Sequence, residues 1–134
     1  MKHRLLQIPA GIAAAVLVGA AQTQPRPLVI PLDSANGYQE LLTGAPQTAG
    51  MRSGFVRLKP GEAVGWHTTG AHEETLVILH GKGAAMVEGQ PDRSFVSPAV
   101  TYIPPVTRHD IKNTGSGVLE YVYVVAPATA SNIP

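Results

Sequence analysis

The residues best suited to chemistry lie between Gly61 and Gly81, where G-E-A-V-G-W-H-T-T-G-A-H-E-E-T-L-V-I-L-H-G sets His67, His72, Glu73 and Glu74 within eight positions. Imidazole and carboxylate groups offered together suit a borderline or hard divalent ion. The apolar run Thr75–Leu79 follows at once, and Gly81-Lys82-Gly83 then lets the chain reverse. A strand that presents such groups and then enters apolar surroundings points to a site inside a barrel. If strand pairing begins at His72, then His72 and Glu74 share a face and Glu73 points to the other. A slip of one residue would exchange the two carboxylates.

The elements that must hold these side chains are short strands. The chain has 14 Gly and 12 Pro in 134 residues, too many for a helical protein of this size, and it shows no helical period. Strands are expected at Leu28–Leu32 (an edge strand that tolerates Pro31), Ser53–Leu58, Ala63–Thr68, Glu74–Leu79, Ala84–Glu88, Ser94–Val96, Val100–Ile103, His109–Lys112 and Val118–Val125. Tyr38–Leu42 fits a strand or a single helical turn. Roughly eight to ten strands at this spacing describe a β-sandwich or barrel. A hydrophobic share of 44% supplies one modest core, and therefore one domain over about 28–126.

Two stretches together carry a resemblance. Gly61, five residues, His67, then Glu74, six residues and Gly81 resembles the first motif of the cupin superfamily, whose usual form is G-x5-H-x-H-x(3,4)-E-x6-G. Pro104 to Asn113, P-P-V-T-R-H-D-I-K-N, resembles the second, G-x5-P-x-G-x2-H-x3-N, with Pro104, His109 and Asn113 in register. With their flanking strands the two cover about Leu28 to Ala126. This chain departs from the pattern at Thr69, where the family usually has a second histidine, and at Pro98 and Val106, where it usually has glycines.

The resemblance implies an all-β, double-stranded β-helix (jelly-roll) barrel of the cupin type, holding one divalent ion near its open end. A threonine hydroxyl is a poor ligand, so the site is either His67, Glu74 and His109 alone or those three with His72 recruited. The expected set is His67, His72, Glu74 and His109, with Trp66 and Tyr102 as substrate-binding residues. Mn or Fe is favoured, and Ni or Zn also suits the set. Cupins include both enzymes and binding modules, so the fold does not choose the reaction. Two readings follow: a metal-dependent enzyme on a small organic substrate, or a non-catalytic binding module for a small ligand or metal. An acid or base beside the metal would separate them, and Tyr102, Tyr121, Tyr123 and Arg57 are the interior polar candidates.

The N-terminus reads as a signal peptide over 1–21. Lys2, His3 and Arg4 form a basic head, an apolar segment follows, and Gly19-Ala20-Ala21 offers small residues for cleavage. Residues 22–27 are a linker and 127–134 a loose tail. Cleavage would leave a periplasmic or secreted protein with no stable membrane anchor. It would also reduce 10 basic residues to 8 against 9 acidic ones, moving the formal charge from +1 to −1. No basic patch for nucleic acid survives. With no cysteine, disulfides and thiolate ligands are excluded. A homodimer is expected, with Leu28–Leu32 and Val118–Val125 as exposed-edge candidates.

Overall fold

The structure, a computed structural model, describes residues 24–33 and 35–129. The proposed signal peptide, residues 22 and 23 of the linker and residues 130–134 of the tail lie outside the described residues. Alternating inward and outward side chains set up nine strands: β1 (Tyr38–Thr43), β2 (Arg52–Leu58), β3 (His67–Thr68), β4 (His72–His80), β5 (Lys82–Val87), β6 (Arg93–Val96), β7 (Ala99–Ile103), β8 (Arg108–Asn113) and β9 (Leu119–Pro127). They form two antiparallel sheets, ordered β1-β2-β9-β4-β7 and β3-β8-β5-β6. This is the double-stranded β-helix, and Tyr38–Thr43 resolves as a strand.

The core lies between the sheets. Leu76 and Ile78 of β4, Val56 and Leu58 of β2, Leu119 and Tyr121 of β9, Ile103 of β7 and Ile111 of β8 form one buried cluster. The pairing register sorts the large sheet into rows of inward side chains. Arg52, Val125, Glu74 and Ile103 make one row, and Gly54, Tyr123, Leu76 and Thr101 the next. A Cβ at Gly54 would stand 2.6 Å from the Tyr123 ring, so the bare backbone there is what lets that ring lie across β2.

Three expected elements differ. Leu28–Leu32 forms no strand; the side chain of Gln39 instead takes up the backbone, accepting from Asp33 N and donating to Pro31 O. The strand expected over Ala63–Thr68 shrinks to His67–Thr68, with an isolated bridge at Ala63. Gly65 has φ 105°, and its N–H donates to the Asp110 side chain rather than to a strand neighbour. The Val118–Val125 run is no edge, because β9 is paired on both sides, by β2 and β4. β9 also extends through Pro127, and the N–H of Ala128 donates to Ala71 O, so the tail begins later than expected.

Both motifs have structural members as well. Gly81 has φ 88°, and a Cβ there would collide with the Val118 carbonyl. Asn113 is 1% exposed; its amide donates to Leu58 O and Gly117 O while its carbonyl accepts from Gly115 N, so every polar atom of this buried side chain is used. Val106 takes φ 54° at a motif position usually held by glycine.

Candidate metal centre

β3 and β8 pair so that His67 stands opposite His109, with ring centroids 4.2 Å apart. Glu74 approaches from β4 in the facing sheet. One side-chain ligand atom from each of His67, Glu74 and His109 lies within 4.8 Å of the others. His109 is fully buried, Glu74 nearly so, and His67 is exposed at the cavity.

The tautomers follow from the hydrogen bonds. Nδ1 of His67 meets Gly65 O at 2.8 Å, and Nδ1 of His109 meets Thr107 O at 3.2 Å. A carbonyl only accepts, so each Nδ1 carries the proton and each neutral ring keeps its lone pair on Nε2. Fixing the far nitrogen in this way is how metal-binding histidines are oriented. Nε2 of His109 is 3.1 Å from Glu74 Oε2 yet makes no hydrogen bond of acceptable geometry. Two acceptors this close and this buried call for a cation between them. Ligand atoms about 2.0–2.2 Å from one ion, in roughly orthogonal positions, stand about 3 Å apart, so the residues present fit a divalent metal.

Without an ion, a proton takes that place. Burial pushes the His109 pKa down, but the Glu74 carboxylate, the Thr107 carbonyl and the Asp110 charge outweigh it and leave the pKa raised.

The other expected site residues separate. His72 is not in the convergent group. It lines the same cavity from one inward position further along β4, opposite Pro127 of β9. Thr69 is excluded as a ligand by its own bonds, since its hydroxyl donates to Pro104 O and accepts from Thr107 N. Trp66 lines the cavity, with the Arg108 guanidinium 5.2 Å from its ring centroid and a 2.7 Å ion pair between Arg108 and Glu88 behind it. Tyr102 does not line the cavity: it is exposed on the outer face of β7 and donates to Glu73, which is also outward. Arg57, likewise expected inside, points outward and pairs with Glu120 at 3.0 Å. Tyr121 and Tyr123 do face inward, and burial pushes both phenols well above their ordinary pKa.

The cavity holds about 830 Å³, enough for a small organic molecule, with apolar walls that include Val56, Leu58 and Ile111. Arg52 and Tyr38 also line it, and sequence reasoning missed both. Neither stands in a motif. The only signal was Arg52's place two residues before Gly54 on the strand's inward face.

No curated protein matches the chain in sequence. Its fold is similar to several solved structures. A Cupin 2 conserved barrel domain protein from Salinispora arenicola is 23% identical with a TM-score of 0.63, covering 81% of this chain and 93% of that one. A Bacillus halodurans protein is 20% identical with a TM-score of 0.67, covering 78% and 84%. The cupin domain of Cnp3 from Schizosaccharomyces pombe is 21% identical with a TM-score of 0.62, covering 71% of this chain and 66% of that one. The cupin domain family model matches residues 54–125, more than half the chain, and with both motifs in place the protein belongs to the cupin family.

Proposed function

We propose that this protein is an exported, metal-dependent cupin enzyme acting on a small organic substrate, with one divalent ion held by His67, Glu74 and His109. The observation that carries the reading is the pair of histidines whose Nδ1 protons are committed to backbone carbonyls, with His109 Nε2 3.1 Å from the buried Glu74 carboxylate and a ligand atom of His67 within 4.8 Å of both. A bound ion would supply Lewis acidity to a substrate oxygen, with Mn or Fe the first choices. His72 lines the cavity without joining the three-residue group, which leaves its imidazole free to hydrogen-bond a substrate beside the metal. Trp66, braced by Arg108, gives the substrate a flat apolar surface at the rim.

Protein purified without chelator is expected to carry close to one divalent metal per chain by elemental analysis, and His109→Ala to lose most of it. Full occupancy in that variant would defeat the assignment. A homodimer is proposed as well, now on different ground. Val77, Val100 and Tyr102 expose an apolar strip on the outer face of the large sheet, the kind of surface a second copy covers. A monomer by light scattering at high concentration would count against it.

A further inference from the structure

One charged group in the cavity is left unused by the metal reading. Arg52 lies in the same row as Glu74, with Val125 of β9 between them, and all three side chains point inward. Strands pack about 4.8 Å apart, so the Arg52 and Glu74 backbones stand about 10 Å apart and their long side chains face one space. Yet Arg52 makes no ion pair among the described residues.

Beside it, the hydroxyls of Tyr38 and Tyr123 are 2.9 Å apart, their rings stacked with centroids at 6.5 Å. In a phenol pair one O–H donates to the other oxygen, so the second O–H is left to seek an acceptor elsewhere. Tyr121 adds a third phenol. It is 2% exposed, lines the cavity, and its hydroxyl has no hydrogen-bond partner among the described residues. These phenols line the cavity, so their uncommitted O–H groups are donors that a ligand's acceptor oxygens can take up.

The charge balance points the same way. Among the described residues Glu74 is the one carboxylate lining the cavity, with Glu40 and Asp110 acting on its phenols from outside the lining, against Arg52 and, on the reading above, a divalent ion. We infer that the ligand of this cavity is a small organic carboxylate. Its carboxylate is held by the Arg52 guanidinium and the free O–H of the Tyr38–Tyr123 pair, its carbon body lies on Val56, Leu58 and Ile111, and its other end faces the His67–Glu74–His109 group. A guanidinium fork matches two carboxylate oxygens side by side, and the apolar walls suit carbon rather than a second charged group. This inference deepens the proposed function and rests on it for the far end of the ligand only.

The test is calorimetric titration of the full mature chain, metal-loaded and again in chelator, with a panel of C3–C8 2-oxo and aryl carboxylates and the methyl ester of each. Wild type is expected to bind at least one carboxylate at least tenfold more tightly than its ester. Arg52→Gln is expected to weaken that carboxylate by about 10- to 100-fold with little change for the ester, and Tyr38→Phe to weaken it several-fold. Arg52→Lys should recover part of the loss, because it keeps the charge but not the fork. Metal content, measured alongside, should be unchanged in all three variants. An unchanged carboxylate-to-ester ratio in Arg52→Gln overturns the inference, as does heat from none of the carboxylates at millimolar concentration. Failure of the metal reading would be seen separately, as wild type without metal, while the Arg52-dependent preference in chelator would still decide the carboxylate subsite.

Discussion

His109 Nε2 lies 3.1 Å from Glu74 Oε2, both are buried, and the two atoms share no hydrogen bond of acceptable geometry. One positive species has to sit between them, and whether it is a proton or a metal ion sets how the protein responds to pH.

In chelator, the raised His109 pKa makes the protonated ring a stabilising feature. Its contribution is fully present below the ordinary histidine value of 6.5 and is lost as pH rises through the higher folded-state value. Metal-free protein should therefore melt at lower temperature as pH is raised across that window. Glu74→Gln should flatten the slope. Metal-loaded protein should show the opposite trend, losing metal as acid protonates the imidazoles. Melting curves from pH 5 to 9 with and without Mn check both signs; parallel curves would contradict the shared site.

His72→Ala and Thr69→Ala should separate cleanly. His72 stands outside the convergent group, so its removal is expected to leave metal stoichiometry near that of wild type while lowering any turnover. Thr69→Ala strips partners from Pro104 O and Thr107 N, and should cost about 1–3 kcal/mol of stability with metal stoichiometry kept. Metal analysis and denaturant melts read the two effects; loss of metal in His72→Ala would restore it as a fourth ligand.

Val106 holds φ 54° on an exposed loop, a conformation that suits glycine and strains a β-branched residue. Val106→Gly should stabilise the protein by about 1 kcal/mol, since relief of a left-handed backbone, ~1–2 kcal/mol, exceeds the entropy that glycine adds to the unfolded chain. Urea titration measures it, and a destabilised variant would show that the valine side chain packs favourably there.

Export implies cleavage near Ala20 or Ala21, after the apolar segment. Intact mass of the protein recovered from a bacterial periplasm should match a chain lacking the leader. A mature N-terminus at Met1 would remove the proposal of export.

Much of this was legible in the sequence. Glycine, proline and the period-2 pattern imply short strands and one barrel, because both depend on local backbone freedom and on which neighbours are apolar. The resemblance to the two cupin motifs also pointed to His67, Glu74 and His109, and to Gly81 and Asn113 as motif members, since a backbone that must turn or approach closely leaves a mark on residue type. The tertiary structure decided what depends on pairing between distant segments. Only the β3–β8 register sets His67 beside His109, and only the hydrogen bonds to Gly65 and Thr107 commit both Nδ1 atoms and leave His109 Nε2 beside Glu74. Tyr102 reads locally as a barrel residue, yet its register opposite Thr75 puts it on the outer face, because a shift of one position reverses a strand's sides. β9 reads as a strand from its valines, but its place in the middle of the sheet is set by partners on both sides. Arg52 carries no motif at all. Its place in the row of Glu74 comes from pairing across β2, β9 and β4, which no local pattern encodes.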